Sequence, residues 1–156
     1  MPQSQIRWLI RRDMDEVLAI ENASISEPWQ EEDFHLCLRK RRVIGTVAEV
    51  DFDTIAGFMV YELHKTILRV LKFAVDPNER RKGIGTQMVE RLIDKLKPTA
   101  RTEIEIAIPE QYLPAQLLFS KHGFKCEEVR GEQYVFRYWV GNRSMAQQTT
   151  EPESAQ

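Results

Sequence analysis

Residues 75–92 read VDPNERRKGIGTQMVERL. An apolar run, Lys72-Phe73-Ala74-Val75, leads in, and then come a proline, three consecutive cations and two glycines one residue apart. Ile84, Met88, Val89, Leu92, Ile93 and Leu96 fall on one stripe, which predicts an amphipathic helix over residues 84–96, closed by Pro98. A strand-to-helix turn of this composition suits an anion. The first N–H groups of a helix have no intrahelical acceptor and carry a partial positive charge. Gly83 and Gly85 let a ligand approach the backbone, and Arg80, Arg81 and Lys82 add charge. The expected ligand is a pyrophosphate. The turn is not a dinucleotide fingerprint, because Met88 stands where the third glycine would be, and it lacks the Gly-Lys-Ser/Thr of a P-loop.

Outward from this turn, the periodicities alternate between two and 3.6. Upstream, residues 43–50, 54–63 and 67–75 are β-branched and aromatic-rich, separated by turns at 51–53 and 64–66, and predict an antiparallel meander. Before them, residues 6–10 predict a short strand. Asp13 is placed to cap a helix over residues 14–24, with Met14, Val17, Leu18 and Glu21 at helical spacing. A second helix is expected over residues 31–42, with Phe34, Leu38 and Cys37 inward. Its last four residues, Arg39-Lys40-Arg41-Arg42, read as solvated cations at a helix C-terminus, favoured by the dipole. Downstream, residues 103–108 predict a strand with Ile104, Ile106 and Ile108 on one face and Glu103, Glu105 and Ala107 on the other. A short helix over residues 114–122 ends at Gly123, and residues 124–128 and 134–140 close as strands. The order is β-α-α-β-β-β-α-β-α-β-β. This predicts a mixed α/β (α+β) domain over residues 1–140, with a parallel strand pair joined across the helix that follows the turn. Residues 141–156 are polar and are expected to form a disordered tail.

Of the 156 residues, 42% are hydrophobic and 29% charged, with a formal net charge of −2, an ordinary soluble balance with no global basic field for nucleic acid. Two cysteines, Cys37 and Cys126, make no disulfide framework and show no metal-ligand spacing, so no metal is expected. No apolar run reaches membrane-spanning length, and the N-terminus lacks the apolar core of a signal peptide. A cytoplasmic monomer or homodimer is expected, with neither membrane nor nucleic acid as partner.

The pattern Arg80-x-x-Gly83-x-Gly85, after a strand ending in Ala74-Val75-Asp76-Pro77, resembles the acetyl-CoA-binding motif of the GNAT acetyltransferases. The resemblance covers most of residues 5–140, including the two early helices. Glu27-Pro28-Trp29 resembles the acceptor-side loop of the RimI-like N-terminal-protein acetyltransferases, and AQLLFSKHGF (115–124) is similar to their late helix. It implies a mostly antiparallel sheet of about seven strands flanked by about four helices. It also implies acetyl-CoA on residues 80–86, that is Arg80, Arg81, Lys82, Gly83, Ile84, Gly85 and Thr86. Backbone groups of Phe73, Ala74 and Val75 would hold the pantetheine arm, and Phe119 would pack beside the thioester. The implied reaction is transfer of an acetyl group to a primary amine, with a protein N-terminal α-amine as the first expectation and a small amine as the second.

Three positions depart from that family's pattern. The late-helix position that commonly carries a general-acid tyrosine is Phe119, the strand position that can carry a base is Ala107, and Tyr112 replaces an asparagine often found at the start of the late helix. An α-amine at pKa about 8 is already roughly 10% neutral at pH 7, whereas a lysine at about 10.4 is neutral roughly 0.04% of the time. The missing groups therefore favour an α-amine acceptor, or else a non-catalytic acyl-CoA-binding module. Candidate substitutes are Glu105 as a base and Tyr134 as a phenol, each weighed against an ordinary salt-bridged or packed role. Trp29, Glu62 and His64 are candidate acceptor contacts, and Tyr112 could donate from its loop.

Overall fold

The computed structural model describes residues 4–51 and 53–141. The segment read as a tail lies, from residue 142 on, outside the described residues. Seven strands and four α-helices follow the expected order: β1 (Gln5–Trp8), α1 (Met14–Ser24), α2 (Glu31–Leu38), β2 (Val43–Val50), β3 (Thr54–Leu63), β4 (Ile67–Val75), α3 (Ile84–Asp94), β5 (Glu103–Pro109), α4 (Leu113–Lys121), β6 (Lys125–Arg130) and β7 (Gln133–Trp139). Single 3₁₀ turns at Arg11–Asp13 and Pro77–Glu79 precede α1 and α3.

The strands form one mixed sheet in the order β1-β2-β3-β4-β5-β7-β6. Only β4 and β5 are parallel, as the crossover through α3 requires; every other pairing is antiparallel. Helices cover both faces. Under α1 and α2 lie Val17, Ile20, Phe34, Phe58 and Val60, all at most 3% exposed. Under α3 and α4 lie Met88, Leu92, Ile104, Phe119 and Phe124, all at most 2% exposed. Full burial of side chains of this size contributes about 1.5–3 kcal/mol each. The isoleucines of β5 face α3 and α4, as alternation predicts, so Glu103, Glu105 and Ala107 face the other way.

Two local expectations change. The second helix ends at Leu38 and not at residue 42. The Arg42 carbonyl is recruited by the Leu63 N–H at 2.8 Å, so the basic run belongs to the turn entering β2. Asp13 precedes α1 but gives it no side-chain cap. Its carboxylate instead accepts from the Ile10 N–H at 2.8 Å and from both terminal nitrogens of Arg7 at 2.8 and 2.9 Å. Burial pushes that carboxyl up, and the Arg7 guanidinium and the Ile10 N–H together hold it below its ordinary range.

Candidate functional site

Strands β4 and β5 pair in register only from Ile67 opposite Glu103 to Val70 opposite Ile106. Past that rung β4 continues along β3 as far as Val75 opposite Gly57, while β5 continues along β7 as far as Pro109 opposite Gln133. The two strands therefore open into a V. Its cause is visible in the β3–β4 ladder, where Val60 faces Lys72 but Tyr61 faces Val70. Leu71 is one residue in excess, a β-bulge, and bulges re-aim side chains and end pairing. Before it Leu68 and Val70 contribute to the α3/α4 core; after it Phe73 and Val75 do.

The open end of β4 runs into the glycine turn. The Asp76 N–H donates to the Ala56 carbonyl at 2.7 Å, and the Asp76 side chain accepts from the Asn78 N–H at 2.9 Å. Arg81 has φ +66° and Gly83 φ +82°. Successive amides in such alternating conformations form a concave anion-binding nest. Gly83 is the N-cap of α3 and has no side chain to offer the first amides, and no acidic residue stands in the first turn of that helix. At Gly85 a Cβ would meet Leu118 Cδ2 at 3.0 Å, so this glycine also sets how closely α3 approaches α4. Arg80 and Arg81 are exposed, with Arg80 Nε 3.3 Å from the Val75 carbonyl, while Lys82 pairs with Glu79 at 3.2 Å. Ile84 is buried, and Thr86 is half-buried within the first helical turn.

Below the V an aromatic ladder runs through the α3/α4 core. Phe73 meets Phe119 at 4.9 Å between ring centroids, Phe119 meets Phe124 at 5.0 Å, and Phe124 meets Tyr138 at 5.3 Å. Phe119 is fully buried in this ladder. Tyr134 stands opposite Ile108 and packs, half-buried, on the same core.

The opposite face of the V is polar. Glu105 is buried, and Arg69 Nε holds one of its oxygens at 2.7 Å while Arg137 Nη2 holds the other at 2.8 Å. Burial pushes its carboxyl up, but the two guanidiniums prevail and keep it below the ordinary carboxylate range. A carboxylate so engaged is a weak proton acceptor, which favours the salt-bridged reading over that of a base. Glu62 pairs with His64 at 3.0 Å, and lies opposite Arg69 at the closed end of the V, away from the glycine turn. Ala107 faces Val135 in register and offers no titratable group. At the rim the Ser26 N–H donates to the Tyr112 hydroxyl at 2.7 Å, and that hydroxyl donates to Ser26 Oγ at 3.2 Å, tying the α1–α2 linker to the start of α4. Trp29 lies edge-on to Phe34 at 5.1 Å, so it serves as a staple between helices and also lines this face.

One feature the sequence reading did not single out is Lys72. Its ammonium lies 2.5 Å from Glu21 Oε2 and 4.6 Å from the Trp29 ring centroid. The Trp29 N–H donates to the same Glu21 oxygen at 2.9 Å. The available signal was a lone lysine inside the apolar run ILRVLKFAV (67–75), set against a glutamate on the inner stripe of α1. An open groove lined by Arg11, Glu31, Glu32, His35 and Arg39 lies by α2 and shares no residue with the V. Among the described residues no group of three or more His, Cys, Asp or Glu is arranged to hold a metal ion, and no helix is long and apolar enough to cross a membrane.

The sequence profile of the acetyltransferase (GNAT) family matches residues 5–124. The chain is 25% identical over 129 residues to the [ribosomal protein bS18]-alanine N-acetyltransferase of Salmonella typhimurium, covering 83% of this chain and 86% of that protein. Its fold is similar to the crystal structure of the ribosomal-protein-S18-alanine N-acetyltransferase from Escherichia coli, with TM-score 0.74 at 21% identity, covering 86% of this chain and 91% of the other. It is likewise similar to Arabidopsis thaliana NAA60 in complex with acetyl-CoA, with TM-score 0.73 at 13% identity, covering 89% and 99%.

Proposed function

The chain belongs to the acetyltransferase (GNAT) family, and from that premise we propose that it transfers the acetyl group of acetyl-CoA to a protein N-terminal α-amine. The observation that carries the reading is the V between β4 and β5, which opens directly into a helix N-terminus capped by a glycine at φ +82°. A long thin ligand with an anionic middle fits this: its pyrophosphate suits the nest and the first amides of α3, and its arm suits the unpaired edge of β4. Acetyl-CoA supplies a thioester whose carbonyl carbon bonds to the amine nitrogen as the C–S bond breaks, the sulfur keeping the electron pair and taking up a proton as the nitrogen loses one.

The chain's own residues have distinct tasks. Backbone amides of residues 80–86 hold the phosphates, and Arg80, Arg81 and Lys82 add screened charge at the rim. Backbone groups of Phe73, Ala74 and Val75 align the arm, and an N–H of that segment polarises the carbonyl. Phe119 closes the bottom of the V and excludes water. Glu105, with Arg69 and Arg137, clamps β4, β5 and β7 together one rung before the last β4–β5 pair. Tyr134 is the candidate phenol for returning a proton to sulfur, with Tyr112 as the second candidate once its hydroxyl leaves Ser26 Oγ. The acceptor side is the face carrying Trp29, with Glu62 and His64 further back.

A panel of N-terminal peptides, alanine-initiated ones included, incubated with acetyl-CoA tests this through thiol release and the mass of the acetylated product. Release stimulated by α-amines over free lysine or small amines is the expected result. A second reading rests on Phe119 and Ala107, which leave the usual acid and base positions without titratable groups. On it the fold binds acyl-CoA without turnover, and thermal stabilisation by acetyl-CoA with no acceptor consumed would select it.

A further inference from the structure

Two ion-paired clusters share the face of β4 that looks toward α1 and α2, and they are balanced differently. Glu62, Arg69, Glu105 and Arg137 form a transverse row over β3, β4, β5 and β7, each in register with the next. Signs alternate along that row. Beyond the bulge the Lys72–Glu21 pair stands apart, and it is lopsided. Glu21 is fully buried, with Oε2 engaged by Lys72 and by the Trp29 N–H and with Oε1 lacking any hydrogen-bond partner. The side chain of Lys72 keeps 12% exposure. The positive end of the pair is therefore the end that a molecule on this face meets.

Lys72 also lies on the segment of β4 that β5 leaves unpaired. The α3/α4 side of that segment is filled by Phe73, Phe119 and the start of α3. An acceptor must come from the α1/α2 side, past Trp29 and Lys72.

We propose that Lys72, held in place by Glu21 and Trp29, is a fixed cation that lowers the pKa of the acceptor α-ammonium, so that the nucleophile docks as the neutral amine without a general base. This deepens the acetyl-transfer reading and rests on it. A like charge a few ångströms away shifts an amine by about one unit or more, from an ordinary value of about 8. The ammonium gives its proton to solvent on docking, and no side chain has to accept it.

The other charged groups on this face are paired among themselves in the row at the closed end of the V, where carboxylates outnumber arginines. Arg69 on β4 and Arg137 on β7 both bind Glu105 of β5, with Arg137 also reaching Glu103 and Glu128, and Glu62 of β3 is shared by His64 and Arg69. Cys37 on α2 is a thiol pushed up by burial and stays neutral. Tyr112 at the start of α4 is bonded to Ser26. Lys72 and Glu21 are the pair beside the open end of the V, and the two partners oppose each other in sign.

The test uses an alanine-initiated peptide labelled with ¹³C in its first residue, bound to the full chain with CoA and titrated by NMR. The bound α-amine is expected to titrate about one unit below the free peptide. Glu21→Gln, which keeps acceptors for Lys72 and the Trp29 N–H, lowers it further. Lys72→Met raises it to the free value or above, and Lys72→Arg leaves it low. The acid limb of kcat/KM against pH moves the same way in each variant. Should Lys72→Met fail to fold, the downward shift in Glu21→Gln carries the test by itself. Transfer that persists while neither variant moves the amine pKa overturns this inference and leaves acetyl transfer standing. An unaltered chain that neither binds nor acetylates any α-amine peptide at any pH overturns both.

Discussion

The glycine turn lies off the end of β4 and the polar face of the V along one side of it, and opposite means hold them. At the turn, conformation matters most: a nest at Arg81 and Gly83, a helix that begins on a residue with no side chain, and cations left mostly in water. On the polar face the side chains do the holding, through carboxylates buried at Glu21 and Glu105 and matched by Lys72, Arg69 and Arg137. A site made of backbone tolerates the loss of any one exposed charge. A site made of buried ion pairs does not, because removing one member strands the other.

That contrast can be broken by experiment, the severest test first. Lys72→Met strands the fully buried Glu21 without its cation and is expected to cost about 3–5 kcal/mol in urea unfolding. The double change Glu21→Met with Lys72→Met should recover most of it; a double variant as unstable as the single one would mean that packing, and not charge, holds this corner. Next comes Glu105→Gln, expected to cost about 1.5–3 kcal/mol at pH 7 by weakening two charge-assisted hydrogen bonds. Glu105 titrates lower when folded than when unfolded, so its stabilisation is full at neutral pH and is lost as pH falls below about 4.5 toward the folded value. The variant should therefore unfold with a flatter acid limb. Glu103, on the same strand face, is shifted upward by burial, which outweighs Arg137, so Glu103→Gln should have the opposite sign and slightly raise stability at pH 7.

At the turn, Gly83→Val forces a branched residue to φ +82° and should cost about 1–2 kcal/mol of stability. Its larger effect should be on acetyl-CoA binding, weakened at least tenfold by calorimetry. The smallest effect belongs to Arg81→Gly. It relieves a positive φ at an exposed cation and should stabilise the chain by about 0.5 kcal/mol while weakening acetyl-CoA binding less than fivefold at 0.15 M salt. A hundredfold loss there would move the turn from the backbone class to the side-chain class.

Legibility in the sequence follows the same division. The turn could be read because its residue types are demanded locally: glycine for conformation, a stripe of Ile84, Met88, Val89 and Leu92 for the helix behind it. The meander was legible from alternation, and the parallel pairing of β4 with β5 from the helix between them; the insertion of β7 between β5 and β6 was not. The place of Lys72 on the polar face was not, because alternation along ILRVLKFAV misleads. Counted by twos from Leu68, Lys72 would enter the α3/α4 core beside Val70. It lies against α1 only because Leu71 is in excess, and that excess appears only when β3 and β4 are laid side by side. Asp13 escaped for a similar reason: its cap is spent on Ile10 and Arg7, partners fixed by the turn before α1 and by β1.

The bulge has a consequence for how this cleft can be altered by evolution or by design. Its opening depends on a count of residues more than on any side chain. Deletion of Leu71 would set Lys72 directly after Val70, still facing α1, restore unbroken alternation from Leu68 to Val75, and remove the bulge at which β4 and β5 part. Substitutions at the cleft can tune what it accepts; a single-codon deletion decides whether there is a cleft at all.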